Sequence, residues 1–187
     1  RFVESPIVHP SISFRTELVR NEGPYRDGDF PEDYELWLRW LEAGVKIGKT
    51  PDTLLQWNDA GTRLSRTDPR YSVDAFYRLK SEYLARWLAV NNPHHPAVLV
   101  WGAGYRTRQR VKLLQAHGIR VEAWIDISPR RKSTSIEGVP VIMPDEVPAP
   151  GKAFVLPYVG TRGAREQIAS RLEDRGFVAG RNFICAA

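Results

Sequence analysis

Ala97-Val98-Leu99-Val100-Trp101-Gly102-Ala103-Gly104-Tyr105-Arg106-Thr107 decides the fold. Five apolar residues in a row, ended by glycine, read as a strand buried on both faces. Two glycines then turn the chain into a helix predicted over Tyr105–His117 and stopped by Gly118. Arg120–Ile125 is the next strand and closes on Asp126. Val139–Ile142 and Ala153–Tyr158 follow as strands, Gly163–Arg175 as a helix ended by Gly176, and Asn182–Cys185 as a last strand. Buried strands alternating with helices predict a parallel sheet with right-handed crossovers. The fold class is α/β, with a C-terminal Rossmann-like sheet flanked by helices.

Upstream, Asn91-Asn92-Pro93-His94-His95-Pro96 punctuates the chain. It divides residues 1–92 from residues 96–187, and His94-His95 reads as linker. In the first part, Asp29–Ala43 is predicted to be helical. Asp29 is placed to cap it, with Glu32 three residues on and Pro31 in the first turn. Leu36, Trp37, Trp40 and Leu41 form its apolar stripe. Val45–Ile47 and Thr53–Trp57 are short strand candidates, and Ala60–Arg70 reads as a polar loop. Tyr71–Val90 is a long amphipathic helix with Val73, Phe76, Tyr77, Tyr83, Leu84, Trp87 and Leu88 on one face. Residues before Asp29 show little regular pattern and little core of their own.

Composition excludes several classes. Hydrophobic residues are 42% and charged residues 26% of 187, which fits a globular chain and not a disordered one. Cys185 is the single cysteine, so neither an internal disulfide nor a cysteine zinc cluster is available. That composition makes the cytoplasm the expected compartment, with the inner membrane surface as an extension of it. No apolar run approaches a membrane span, and no leader pattern is present. The chain starts without Met and is read as part of a longer protein. Residues 1–95 hold 13 Lys/Arg against 14 Asp/Glu, and residues 96–187 hold 14 against 8. The second half is therefore basic. It lacks the interleaved aromatics of an RNA reader, so nucleic acid is not an expected partner.

Gly102-Ala103-Gly104-Tyr105-Arg106-Thr107 is an incomplete dinucleotide fingerprint. The first Gly serves a tight turn, and the second allows close approach of a phosphate to the helix N-terminus. Thr107 replaces the third. Asp126, at a strand end, is placed to bind a ribose diol. Gly102, Gly104, Tyr105, Arg106 and Asp126 are thus candidate nucleotide contacts. Arg162, in the turn Tyr158–Gly163 at the same sheet edge, joins them. About 90 residues amounts to one mononucleotide-binding half, and a module that only docks partners remains the alternative.

His9-Pro10-Ser11, Arg15, Gly23-Pro24-Tyr25-Arg26, Glu32-Asp33-Tyr34-Glu35-Leu36-Trp37-Leu38-Arg39 and Gly44 occur in that order. Leu54-Leu55 and Leu64-Ser65-Arg66 follow. This series resembles the acceptor-side, C-terminal part of a family-2 glycosyltransferase of the GT-A fold, over about residues 1–88. The second half resembles small Rossmann-like modules found beside sugar-modifying enzymes. The resemblance implies inverting transfer from a nucleotide diphosphate-sugar to the hydroxyl of a glycan or lipid-linked acceptor. It implies Asp33 as catalytic base with Glu32 beside it. Tyr25, Arg26, Arg39 and Trp40 would lie near acceptor or diphosphate. A divalent metal, Mn or Mg, belongs to the full-length parent, and no metal ligands are assigned here. The donor-binding half is expected before Arg1, so this chain alone is expected to be inactive and open to self-association. Where relatives carry an Arg and a His, this chain has Trp57-Asn58-Asp59.

Overall fold

A computed structural model describes residues 1–56, 58 and 63–187. It separates into two compact units, one of Arg1 and Val3–Tyr83, the other of Phe2 and Leu84–Ala187.

In the first unit every regular element among the described residues is helical: α1 (Thr16–Glu22), α2 (Glu32–Glu42), the one-turn α3 (Leu64–Thr67) and the first part of α4 (Val73–Asn91). Short 3-10 turns lie at His9–Ser11 and Pro69–Tyr71. Helix α1 was not expected from the pattern. Helix α2 starts three residues later than expected. Pro31 is its N-cap and no side chain caps it, so Asp29 has no capping role. Pro31 fixes φ and has no N–H to satisfy, which suits a helix start. At the other end Val45 N–H donates to the Trp40 carbonyl (2.9 Å) and Gly44 N–H to that of Leu41 (3.3 Å). With Gly44 at φ +85° this is a Schellman ending.

Burial on α2 is not a stripe. All seven residues from Tyr34 to Trp40 are buried, including Glu35 and Arg39. Trp37 and Trp40 meet edge to face at 5.5 Å, and Phe14 closes on Trp40 at 5.0 Å. Ile7, Ile12, Leu18, Val19 and Val45 pack around this cluster. The strands expected at Val45–Ile47 and Thr53–Gln56 do not form; Trp57 lies outside the described residues. Their β-branched and apolar residues have no neighbouring strand among the described residues to pair with. The expected loop 60–70 contains α3 and the start of a 3-10 turn, residues 60–62 being outside the description. Val73, expected on the buried face of the long helix, is 59% exposed at its first position.

The second unit holds the sheet. β1 (Ala97–Trp101), β2 (Arg120–Ile125), β3 (Ser135–Ile136), β4 (Val139–Ile142) and β5 (Val155–Pro157) lie in the order β3-β4-β2-β1-β5. All neighbours are parallel except β3 with β4. That hairpin was missed in the sequence; Glu137 and Gly138 both take positive φ at its turn, as a two-residue hairpin requires. α5 (Tyr105–Gln115) follows β1, and α6 (Ala164–Asp174) follows β5. Every residue of β1 is buried. Leu99, Trp101, Ala123, Ile125 and Val155 form one core with Ile168 and Leu172 of α6 and with Phe177 and Phe183. The terminal segment 182–186 runs along β5, with Val155 N–H donating to Asn182 O and Ala186 N–H to Pro157 O, both at 2.9 Å. It pairs as an isolated bridge at Phe183 and not as a full strand.

The chain steps from β1 outward to β2 and β4, then crosses to β5 on the other side of β1. Strand order therefore reverses between β1 and β5. The loops Gly102–Gly104 and Tyr158–Gly163 leave the sheet there, where open α/β sheets usually bind ligands.

Candidate functional site

In the first unit the site is built on the start of α2. Asp33 stands in its first turn, half-buried, with the Tyr34 N–H donating to Oδ1 at 2.7 Å. Burial pushes the Asp33 carboxyl above the ordinary carboxylate range, and Glu32 adds to the push. The Tyr34 amide and His9 pull the other way. Tyr25 comes from the preceding loop, 39% exposed, with Oη 2.7 Å from Nε2 of His9. Its phenol is pushed up by burial and then by Asp33 and Glu32, so it stays protonated as a donor. Tyr71 arrives from the 3-10 turn before α4 and donates its hydroxyl to Oε1 of Glu32. Burial and that bond raise its phenol further still. Oε2 of Glu32 is buried without a partner among the described residues.

Behind these groups Glu35 and Arg39 form an internal lock. Arg39 Nε donates to Glu35 Oε1 at 3.0 Å and Nη2 to Oε2 at 3.2 Å. The same guanidinium donates to the carbonyls of Glu22, Gly23 (3.2 Å) and Pro24 (2.7 Å). Tyr83 Oη donates to Glu35 Oε1 at 2.7 Å, and Arg26, largely exposed, reaches it at 3.4 Å. The turn that leads into Tyr25 is thus tied to the helix that carries Asp33. Five donors in a planar fork let one arginine do this where a lysine would not.

Of the expected residues, Asp33 and Glu32 stand side by side at the start of α2 and both raise the Tyr25 phenol electrostatically, while Arg26 reaches Glu35. Arg39 and Trp40 lie inside the unit, 8% and 1% exposed. Of the Trp57-Asn58-Asp59 stretch, Trp57 and Asp59 lie outside the described residues. His9, Tyr71 and Glu35 were not singled out as site residues by sequence reasoning. Tyr71 follows a proline turn, and His9 meets Tyr25 across 16 positions, so no local spacing signals either one.

In the second unit Gly102 has φ +117°, and a Cβ there would meet Val159 Cγ2 at 2.9 Å. Packing alone therefore demands this glycine. Gly104 differs: it is the N-cap of α5 at φ −67°, and a Cβ would meet nothing within 4 Å. Tyr105 is 68% exposed, and Arg106 and Arg162 are exposed too. Asp126 is engaged. Its Oδ2 accepts from Arg131 Nη1 at 2.7 Å and from Ala103 N–H at 3.3 Å, and its Oδ1 from Ser128 N–H at 2.8 Å. One amide of the glycine turn and the expected diol acceptor are thus bonded to each other. The sequence fingerprint did not foresee this.

Among the described residues no three His, Cys, Asp or Glu side chains converge on a metal-sized site. Among the same residues no helix is long and apolar enough to cross a membrane.

These features define a mixed α/β protein with a Rossmann-like sheet and, in its other unit, a cluster of carboxylates and phenols around a histidine. Part of the chain is similar to the amylovoran biosynthesis glycosyltransferase AmsE of Erwinia amylovora, 33% identical over 54 residues. The match covers 29% of this chain and 20% of that protein, so the chain spans about a fifth of its relative's length. The relationship is to a glycosyltransferase at that coarse level. No family model matches the chain, and no solved structure matches it.

Proposed function

We propose that this chain is the acceptor-side part of an inverting glycosyltransferase with Asp33 as its base. The observation that carries this reading is the Asp33 carboxyl, half-buried at a helix start and raised by that burial. A base is most effective when its pKa lies near the working pH. The similarity to a glycosyltransferase supports the same reading from the side of sequence.

In the proposed reaction an acceptor hydroxyl gives its proton to Asp33. Its oxygen forms the new bond to the anomeric carbon, and the bond from that carbon to the diphosphate oxygen breaks. The nucleoside diphosphate leaves with the electron pair. The donor is a nucleotide diphosphate-sugar, and the acceptor a glycan or lipid-linked sugar, reached at the cytoplasmic membrane surface. Glu32, fixed by Tyr71, borders the acceptor, and Tyr25 and Arg26 line its approach. Arg39 acts at a distance by holding the 22–24 turn, and Trp40 supports it from the core. A divalent metal would neutralise the leaving diphosphate, and its ligands are sought outside these residues.

Asp33→Asn in the full-length parent is the test. Loss of general-base assistance costs about 10²–10⁴-fold in kcat, with donor binding unchanged. Unaltered transfer would reject the assignment. This chain alone should turn over no UDP- or GDP-sugar.

Gly104 favours a second reading, for the other unit. Neither its φ nor its surroundings require glycine, and a phosphate approaching the N-terminus of α5 would. Calorimetric titration with UDP, UDP-sugars, NAD and NADP tests it; a blank with all four leaves the unit a docking module.

A further inference from the structure

The loops after β1 and β5, where a phosphate would meet α5, leave the sheet at the C-terminal ends of its strands. At the opposite end, within the same unit, a cleft of about 200 Å³ opens. It spans the starts of β1 and β2 and the residues that lead into β5. His94, Arg120, Glu122 and Lys152 line it, with Leu99 and Phe154 behind them. The four polar residues have no part in sugar transfer at α2 or in phosphate binding at α5.

Two features build the walls of this cleft. On the β2 side the register with β1 slips: Val98 pairs with Val121, but Leu99 pairs with Ala123. Glu122 is the extra residue of a bulge, a rare event in a parallel pair and one that re-aims the side chains beside it. Arg120 Nη2 donates to Glu122 Oε1 at 2.9 Å, and both residues are exposed. On the β5 side the imidazole of His94 reaches the turn before the strand. Its Nε2 lies 3.1 Å from the Gly151 carbonyl, to which it donates. Buried Asn92 fixes the backbone of the same turn, its Oδ1 accepting from His94 N–H and its Nδ2 donating to Ala97 O, both at 2.8 Å. The next residue after Gly151 is Lys152, exposed and without an ion pair among the described residues. His94, read in the sequence as linker, thus ties the turn that carries a free ammonium to the start of β1.

We propose that this cleft is a binding site for a small hydroxycarboxylate. Glu122 takes one of the five N–H donors of Arg120. The others remain for a ligand carboxylate, which matches the planar fork of a guanidinium. Lys152 approaches from the β5 side, so the two cations flank the start of β1. Glu122 is an acceptor within the same cleft and suits a hydroxyl next to the carboxylate. The permanent charges of the lining, Arg120 and Lys152 against Glu122, leave one positive charge, which a monocarboxylate balances and a phosphate dianion overshoots. Glu122 also repels the second charge of such a dianion. The small volume limits the ligand to a few carbons. The site is independent of the assignment of Asp33 and of Gly104.

The test is a titration of this ¹⁵N-labelled chain with sodium lactate, glycerate, propionate and inorganic phosphate at constant ionic strength, followed by amide NMR shifts. Lactate and glycerate should move the amides of residues 120–122 and 151–154 along saturable curves, and leave those of residues 102–107 in place. Propionate, which lacks the hydroxyl, should bind several-fold more weakly, and phosphate should not saturate these shifts. Arg120→Gln and Lys152→Gln should each weaken lactate by about fivefold, the upper range for exposed charge pairs. Glu122→Gln should bring phosphate binding closer to that of lactate. Arg181→Gln removes an exposed cation elsewhere in the unit and should change nothing. These variants alter exposed side chains, and the unperturbed amide spectrum of each confirms its fold. Absence of saturable shifts with both hydroxy acids overturns the proposal. So does tighter binding of phosphate than of lactate, equal binding of propionate, or a loss with Arg181→Gln as large as with Arg120→Gln, which would mark general attraction to a basic surface.

Discussion

Arg39→Met tests whether the lock behind the site has the importance its geometry implies. Methionine keeps much of the aliphatic volume and removes every donor. Three contacts to Glu35, at 3.0, 3.3 and 3.2 Å, disappear together with those to the carbonyls of Glu22, Gly23 and Pro24. Glu35 stays 2% exposed, with the Tyr83 hydroxyl at 2.7 Å and the outlying Arg26 at 3.4 Å. Removing one partner of a buried ion pair costs about 3–5 kcal/mol, because the other charge is left uncompensated. Amide exchange of the α2 segment should therefore speed up by roughly 100-fold to several thousand-fold, up to the limit set by global unfolding. Exchange in β1 and β5 reports on the other unit in the same experiment. The double variant Glu35→Gln/Arg39→Met removes the stranded charge and keeps an acceptor for Tyr83. It should cost less than Arg39→Met alone, since a pair replaced as a pair leaves no buried ion. An Arg39→Met effect below about 1 kcal/mol would place it with exposed pairs and refute the reasoning.

Asp33→Asn should stabilise the chain at neutral pH. Native Asp33 holds its proton more tightly than the unfolded chain does, because burial raises it above its ordinary 3.8. Its contribution is complete below pH 3.8 and is lost as pH rises through the folded value. Urea unfolding should thus show the advantage of Asn at pH 7 and its disappearance near pH 3. Gly102→Ala should destabilise the second unit by more than about 1 kcal/mol, since φ is +117° and Val159 stands 2.9 Å from the new methyl. Gly104→Ala should be neutral within about 0.5 kcal/mol, and thermal unfolding of the two variants compares them directly. Cys185, whose thiol burial pushes up, should react with iodoacetamide at pH 7 more slowly than free cysteine does; equal rates would contradict its burial.

The sheet was legible because its signals are local. The unbroken apolar run Ala97–Trp101 and the glycine after it required the same strand and turn that form. Ser135–Ile136 escaped because two residues carry no period, although Glu137-Gly138 offered a hairpin turn. Val45–Ile47 read as a strand by composition, but a strand needs a neighbour and the described residues provide none. In the site, Asp33 was legible as an acid at a helix start next to a recognisable series. Arg39 was expected near acceptor or diphosphate, and Glu35 carried no role of its own. Only the carbonyls of residues 22–24, brought over by α1, show why both are buried. Asp126 had the spacing of a diol ligand, yet Arg131, five residues on, takes it. Contacts of that kind depend on where a loop folds back, and spacing does not encode it.

Kinetics of the Asp33→Asn variant of the proposed parent glycosyltransferase, with donor binding measured alongside, test the central claim most directly. The account predicts a fall in kcat of about 10²–10⁴-fold, unchanged donor affinity and a folded protein. Transfer at the wild-type rate would contradict it and move the chemistry away from the start of α2.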